Sequence, residues 1–110
     1  MTIFYIDTEF THGNMYIGDI FEVACLSNNN NKLFHSYVNI PTSIPNYVRN
    51  LCNVILELLR QSSSFNEVMI NLIEFIKREE EKSRTQTILI GHGAFLSDYP
   101  LIITNCIKNH

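Results

Sequence analysis

The sequence predicts one α/β domain with a mixed β-sheet and packed helices, in the order β-β-β-α-α-β-α. Two patterns predict this class. Short runs rich in β-branched and aromatic residues, as in buried strands, lie at residues 2–7, 20–27, 32–38 and 87–91. Apolar residues recur every three or four positions, as on one face of a helix, over 48–59 and 68–76. Strands in succession, then helices and one more strand, form a sheet on which helices pack.

The first three strands form the predicted meander. The first run, TIFYID, ends at an acid and is followed by THGNMYIGD, whose glycines and asparagine indicate a loop or hairpin turn. The second run, IFEVACLS, leads into asparagines at 28–31, and asparagine tolerates the left-handed backbone of a tight turn. Residues 32–38 then alternate between two faces, so we expect this third strand to pair antiparallel with the second.

The helices follow a change of period after Pro41. One apolar helical face is predicted from Val48 to Leu59, and a run of serines ends that helix. Ser64 and Glu67 form an S-x-x-E capping box for a second helix. This helix leads into the charged stretch KREEEKSRTQ, which we expect to be a solvated helix end and loop.

The last two elements are a strand and a helix. The run TILIG at 87–91 predicts a fourth buried strand, and a Gly-His-Gly turn follows it. The final helix is predicted from about Ser97 to Ile107, with Pro100 in its first turn. We expect one sheet in which the first strand is central, between the second and the fourth.

Composition and charge exclude several classes of protein. Eight basic against eleven acidic residues give a net charge of −3, which argues against a basic architectural DNA binder. No apolar run approaches the ~18 residues that span a bilayer, so no membrane partner is expected. The N-terminus contains two acids and has no basic start, unlike a secretory signal, so we expect an intracellular protein, cytoplasmic or nuclear. The three cysteines are too widely spaced for a zinc knuckle or a disulfide framework.

Asp7 and Glu9 are the strongest candidates for chemistry. They form a D-x-E at the end of the first strand, where residues two apart point to the same face. Two carboxylates on one face repel each other, and a hard cation such as Mg²⁺ or Mn²⁺ relieves that repulsion. The alternative is a solvated strand end with two unrelated acids.

Asp98 and His92 follow the fourth strand in the stretch GHGAFLSDYPLI. If the first and fourth strands are neighbours, Asp98 lies at the same sheet edge as Asp7 and Glu9, which brings three carboxylates together. The alternative for Asp98 is an acid favoured by the dipole at a helix start. The alternative for His92 is a turn residue whose ring is hydrogen-bonded.

Several segments together resemble a known family: DTEF, IFEVACLS, NIP, SIP, SFNEV and ILIGHGAFLSDYPLI. In order and spacing, the whole chain resembles the DnaQ-like 3′-5′ exonucleases of the DEDD superfamily, which have a ribonuclease-H-like fold. The stretch from His92 to Ile102 resembles the second motif of the three-prime repair exonucleases, in which an aromatic residue, a proline and leucines follow the acid.

The resemblance implies a metal centre and a substrate. Asp7 and Glu9 match the carboxylates that hold the catalytic divalent metals, Mg²⁺ or Mn²⁺ in a two-metal site, and Asp98 matches the acid that supports the second metal. The implied substrate is a nucleic acid, at a single-stranded or frayed 3′ end of DNA or RNA. Its terminal bases would stack on apolar side chains.

The resemblance also implies residues that contact the substrate. Thr8 and Phe10 match positions that flank the metals and hold the terminal nucleotide. His92 takes the place of the histidine that opens the second motif. Residues Cys52–Val54 lie where family members contact the last base.

The sequence departs from the family pattern in two places. Gly93 stands where the second motif usually has asparagine, and the third motif, a histidine or tyrosine base with a fourth carboxylate, is absent from the 110 residues. We therefore expect a truncated domain, residues 1–110, that lacks the family's C-terminal strand and helix. Its uncovered sheet edge gives a surface for self-association. His12, in the glycine-containing segment after Asp7, is the candidate for a substitute base.

Three functions stay open at this point. The first is a DEDD-type 3′-5′ exonuclease that is incomplete or weakly active. The second is a catalytically inactive ribonuclease-H-like module that binds nucleic acid or protein. The third is a small α/β domain whose acids are incidental.

Overall fold

The computed structural model describes residues 1–12, 14, 17–41, 43–83, 86–91 and 98–109, and at positions 98, 99 and 108 it describes the backbone alone. The elements run in the order β-β-β-α-α-α-β-α. Their bounds are β1 Thr2–Phe10, β2 Ile20–Ser27, β3 Leu33–Tyr37, α1 Asn46–Cys52, α2 Leu56–Arg60, α3 Phe65–Ser83, β4 Thr87–Ile90 and α4 Asp98–Lys108. Within the described residues, every helix is too short or too polar to span a lipid bilayer.

The four strands form one mixed sheet in the order β3-β2-β1-β4. β1 pairs antiparallel with β2 and parallel with β4, and β2 pairs antiparallel with β3. This confirms the predicted sheet with a central first strand. Because β1 and β4 are parallel, their C-terminal ends lie at the same edge of the sheet.

The β2–β3 turn is built by asparagines, as predicted. Asn30 and Asn31 have φ angles of 55° and 53°, in the left-handed region. The turn is closed by the Ser27 amide, which donates to the Lys32 carbonyl over 2.8 Å. Asparagine stabilises this conformation because its short polar side chain forms local hydrogen bonds.

The main core lies between one face of the sheet and helices α3 and α4. Side chains at even positions of β1 from Thr2 to Thr8 are buried on this face, while Tyr5 and Asp7 are exposed on the opposite one, here called the open face. The core comprises Phe4, Ile6, Ile20, Val23, Cys25, Val38, Phe65, Val68, Leu72, Phe75 and Leu101. A second, smaller cluster packs Phe21 against Ile44, Val48 and Leu59, under α1 and α2.

The first strand is longer than predicted. Its pairing with β2 continues through Thr8 and Glu9 to Phe10, with a register shift between Glu9 and Phe10. Charged residues are poor strand formers, so the sequence pattern ended this strand at Asp7. The structure therefore holds both acids of the D-x-E inside a paired strand.

The single helix predicted over residues 48–59 is wrong, because two short helices occupy this segment. Asn53 has a φ of 52°, and its amide donates to the Arg49 carbonyl, which ends α1 in a left-handed cap. The apolar period continues across this break, since Val48 of α1 and Leu59 of α2 belong to the same cluster. Periodicity alone therefore did not reveal the break.

The charged stretch after residue 76 also differs from the prediction, because α3 extends into it as far as Ser83. Glu79 within it is buried, with 3% of its surface exposed. The Lys82 ammonium donates to Glu79 Oε2 over 2.6 Å, and the Asn29 side chain donates to the Glu79 carbonyl over 2.9 Å. The helix start agrees with the capping box, since the Glu67 amide donates to the Ser64 hydroxyl over 3.3 Å.

Candidate metal and nucleic-acid site

Asp7 and Glu9 lie on the open face, in the C-terminal half of β1. Asp7 is exposed and Glu9 is half-buried, whereas Thr8 between them is buried, with 4% of its surface exposed. This alternation follows from the two-residue period of a strand. The two carboxylates therefore share one face, as the spacing predicts.

Glu22 is a third carboxylate on the open face, directly opposite Glu9 in the β1–β2 ladder. Like charges at directly opposite positions destabilise a sheet. On its other side the Glu22 carboxylate contacts His35, whose Nε2 lies 2.5 Å from Glu22 Oε2. The His35 ring in turn packs edge-on against Tyr37, with centroids 4.9 Å apart. Glu22 thus adds negative charge beside Glu9, which favours a bound cation.

Cys52, the last residue of α1, contacts this site. Its thiol donates a hydrogen bond to Glu9 Oε2, with 3.1 Å between sulfur and oxygen. Burial, the hydrogen bond to Glu9 and the charges of Glu9 and Glu22 raise the pKa of the Cys52 thiol to about 11. At neutral pH Cys52 is therefore a neutral donor that fixes one oxygen of Glu9.

Asp98 is the first residue of α4, the helix that follows β4. Since β4 runs parallel to β1, the chain leaves β4 at the edge toward which Asp7 and Glu9 lie. The Asp98 side chain is outside the described part of the structure, as are His92 and the predicted Gly-His-Gly turn beyond Gly91. Their roles stay predictions.

Asn105 fixes α4 against the start of β2 and is itself buried, with 2% of its surface exposed. Its Oδ1 accepts from the Ile20 amide over 3.1 Å. Its Nδ2 donates to the carbonyls of Gly18 and Leu101, over 3.1 and 2.8 Å. The sequence gives no signal for this residue, because Gly18 and Ile20 are distant from it along the chain.

The remaining predicted substrate residues lie near Glu9, either next to it in the chain or in contact with it through the fold. Phe10 ends β1 and is half-buried against the main core. Residues Cys52–Val54 form the end of α1 and its left-handed cap, beside Glu9. Whether Thr8, Phe10 and this cap contact a nucleotide stays a prediction.

The geometry of His12 counts against its role as a substitute base. Its Nδ1 accepts a hydrogen bond from the Asn14 amide over 2.9 Å. A neutral imidazole that accepts at Nδ1 carries its proton on Nε2. Neither nitrogen then offers a free lone pair for a water proton.

The donor set of the open face fits a hard divalent cation. Carboxylate oxygens are the ligands that Mg²⁺ and Mn²⁺ prefer. A carboxylate has about four lone-pair sites, so the single thiol bond to Glu9 leaves capacity for a metal. Among the described residues no group of three or more His, Cys, Asp and Glu side chains is placed to hold a metal. The chemistry of Asp7 and Glu9 thus fits the ion, and a third ligand has to come from elsewhere.

No protein-family model and no curated protein matches the sequence. Solved structures do match it in fold. The nuclease domain of 3′hExo, a DEDDh family member bound to rAMP, is 18% identical with a TM-score of 0.84, covering 98% of this chain and 59% of that chain. Cell-death related nuclease 4 (CRN-4) is 12% identical with a TM-score of 0.71, covering 99% of this chain and 40% of that chain.

E. coli Exonuclease I in complex with a dA16 oligonucleotide is 10% identical, with a TM-score of 0.75, and the match covers 98% of this chain. This chain spans between 24% and 59% of the length of these three neighbours. The likeness extends over nearly all of the present chain, and it agrees with the mixed sheet and the central β1. The chain has the α/β, ribonuclease-H-like fold of the DnaQ-like DEDD exonucleases.

Proposed function

We propose that this chain is a 3′-5′ exonuclease-like domain that binds divalent cations through Asp7, Glu9 and Asp98 and receives the 3′ end of a nucleic acid. One observation supports this most strongly. The parallel pairing of β1 and β4 directs the chain that leads to Asp98 toward the edge that carries Asp7 and Glu9. The fold neighbours bound to rAMP and to dA16 are nucleases, which supports the same substrate class.

The residues of the chain have distinct tasks in this proposal. Bound Mg²⁺ or Mn²⁺ supplies positive charge for the scissile phosphate and activation of water. Asp7 and Glu9 hold the cations, and Cys52 orients Glu9 through its thiol hydrogen bond. Phe10, at the end of β1, offers an apolar surface to the terminal base. The single-stranded end suits this arrangement because its bases are free to stack.

Hydrolysis by the isolated 110 residues is expected to be weak. The 110 residues contain no third-motif base. His12 does not replace it, because its Nδ1 accepts a hydrogen bond from the Asn14 amide. Catalytic groups that act as a unit lose most of their effect when one is missing. The alternative is a module with the same fold that binds nucleic acid or protein without catalysis.

Metal binding tests the proposal directly. Mn²⁺ added to the folded chain should broaden NMR signals around Asp7 and Glu9, and Asp7→Asn should abolish this. Glu74→Gln, which removes an exposed acid from α3, is the matched control and should behave as the wild type. Equal broadening in the wild type and in Asp7→Asn would contradict both the metal site and the proposed function.

An end-labelled single-stranded oligonucleotide tests activity in Mg²⁺ or Mn²⁺. We expect little or no shortening from the 3′ end by the isolated chain. Asp7→Ala, run in parallel, reports contaminating nuclease. Robust shortening that Asp7→Ala abolishes would contradict the weak activity and would show that another group acts as base.

We further propose that the chain self-associates through the edge strand β4. Leu89 and Ile90 of this strand are each 42% exposed, and apolar edge strands pair readily with other chains. Ile90→Lys should lower the sedimentation coefficient at high protein concentration. Ile73→Lys, a similarly exposed position on α3, should not. A monomeric wild type at all concentrations would contradict this.

A further inference from the structure

A cavity of about 220 Å³ lies between the segment that precedes α1 and helix α2. Its polar lining consists of Asn39, Ser43, Arg49 and Arg60. Its apolar floor belongs to the smaller core cluster. Among the residues that the structure describes, no carboxylate lines it, although the chain has more acids than bases. A cavity with two guanidinium groups and no acid selects an anionic ligand.

Both arginines have guanidinium N–H groups that are available to a ligand. The ion pairs among the described residues are His35–Glu22 and Lys82–Glu79, so neither arginine is neutralised by a carboxylate there. Arg49 is half-buried and donates from Nη2 to Asn46 Oδ1, which uses one of its five N–H groups. Arg60 is exposed on α2. Planar guanidinium groups bind phosphate through paired hydrogen bonds.

The donor-rich surface continues past Arg49 on its other side. A second, more open cavity of about 700 Å³ is lined by Arg49 together with the amide-bearing residues Asn46, Asn50 and Asn53. Arg49 therefore stands between two cavities that share a lining of hydrogen-bond donors. An extended anion, rather than a single small ion, matches this shape.

Helix α1 connects these cavities to the carboxylate site. Arg49 and Cys52 are three residues apart in α1, so they lie on the same side of that helix about one turn apart. Cys52 is the residue whose thiol contacts Glu9. A nucleic-acid strand whose 3′ end lies at Asp7 and Glu9 therefore has a path along α1 to Arg49.

We propose that Arg49 and Arg60 form a phosphate-binding subsite for the polynucleotide strand upstream of its 3′ end. The inference rests on the proposed function and adds to it the residues that hold the strand. Because two cations carry the contact, binding there depends strongly on salt concentration.

The test measures binding without cleavage. A 5′-fluorescent single strand of about 12 nucleotides, a length that matches single-strand site sizes, is titrated in Ca²⁺ at several salt concentrations. The slope here is the steepness with which log K falls as the logarithm of the salt concentration rises. Each lost phosphate contact lowers this steepness by about 0.7. Arg49→Gln with Arg60→Gln should therefore lower the slope by about 1.4. The matched control is Lys77→Gln with Arg78→Gln, two exposed cations of α3, and it should leave the slope unchanged.

The outcomes are distinguishable. An equal effect of both double variants, with the wild type still binding, overturns the subsite and leaves the proposed function standing. A wild type that does not bind the strand overturns the proposed function and the subsite together. If the arginine double variant does not fold, Arg60→Gln alone decides, since Arg60 is exposed and its loss should lower the slope by about 0.7.

A nucleoside 5′-monophosphate distinguishes a strand from a free nucleotide as the source of the phosphate. We expect it to displace the strand weakly, and to the same extent in the wild type and in Arg49→Lys, which keeps the charge and loses the paired geometry. Strong displacement that Arg49→Lys weakens would overturn the assignment to the strand, because the cavity would then hold a terminal phosphate.

Discussion

The Cys52 thiol donates a hydrogen bond to Glu9 Oε2, over 3.1 Å, and so joins the end of α1 to the central strand of the sheet. Residues that bond to metal ligands orient them and affect metal affinity. The bond also determines the state of the thiol, since burial and the neighbouring carboxylates raise the pKa of Cys52 to about 11. Cys52 is thus a donor to Glu9 rather than a nucleophile.

The first prediction concerns the reactivity of Cys52. A rise in the pKa of Cys52 from 9.0 to about 11 reduces its thiolate fraction near neutral pH roughly a hundredfold. We expect correspondingly slow alkylation by iodoacetamide in the metal-free chain, in a background where Cys25 and Cys106 are serine. Glu9→Gln should speed the reaction, because it removes a carboxylate that opposes the thiolate.

Glu57→Gln is the control for that experiment, since it removes an exposed acid from α2 that has no bond with Cys52. Its alkylation rate should equal that of the parent. A Cys52 that reacts near neutral pH as fast as an ordinary free thiol would contradict the hydrogen bond and the burial.

Local features of the fold were predictable from the sequence. The bounds of β2 agree with the predicted 20–27, because its residues are apolar apart from Glu22 and Ser27 and are bounded by turn residues. The left-handed turn at Asn30 and Asn31 follows from the chemistry of asparagine. The capping box at Ser64 was equally local.

Features that depend on tertiary register were not predictable. Glu22 opposes Glu9 only because the β1–β2 ladder has its particular register, which no local pattern specifies. The contact between Cys52 and Glu9 requires α1 to end at Asn53, and the apolar period concealed that end. The site therefore acquires its third acid, Glu22, and its thiol donor from the fold, while Asp7 and Glu9 were visible as a spacing.

The second prediction concerns Glu79 and acid stability. Burial alone would raise its pKa, but hydrogen bonds from Lys82 and Ser27 and the charges of Lys82 and Lys32 outweigh it and lower the pKa below 4.5. Its contribution to the free energy of unfolding is therefore fully present above that value. It is lost as the pH falls through the lowered pKa.

Urea denaturation at about pH 7 and about pH 3 tests this. The difference in unfolding free energy between the two should be smaller in Glu79→Gln than in the wild type. Glu74→Gln, which changes an exposed acid of the same helix, should keep the wild-type difference. Equal differences in all three proteins would show that the pKa of Glu79 is not lowered.

The third prediction concerns Phe75, which joins α3 to two strands. Its ring lies 6.2 Å from that of Phe4, at 70°, and 5.8 Å from that of Phe34, at 36°. Phe75→Ala should lower the free energy of unfolding by about 3–4 kcal/mol, through lost burial and a cavity. Ile73→Ala, at a position 50% exposed, should change it by less than about 0.5 kcal/mol. Similar urea midpoints for the two variants would contradict the assigned core.

The last prediction concerns Asn105, which holds α4 in place. Its side chain satisfies the Ile20 amide and the Gly18 carbonyl, both distant along the chain. The space at Gly18 admits no side chain, because a Cβ there would lie 2.3 Å from the His12 carbonyl oxygen. Asn105→Ala removes the Asn105 side-chain bond from each of these buried backbone groups and should lower the free energy of unfolding by about 3 kcal/mol.

Asn71→Ala is the control, since Asn71 is exposed on α3 and its replacement should be neutral or slightly stabilising, within about 0.5 kcal/mol. Asn105→Ala should also weaken Mn²⁺ binding, because α4 begins at Asp98 and loses its anchor to the segment beside β2. The readouts separate two cases. Lost stability with unchanged Mn²⁺ affinity would mean that α4 carries no ligand, and the metal would then depend on the acids of β1 alone.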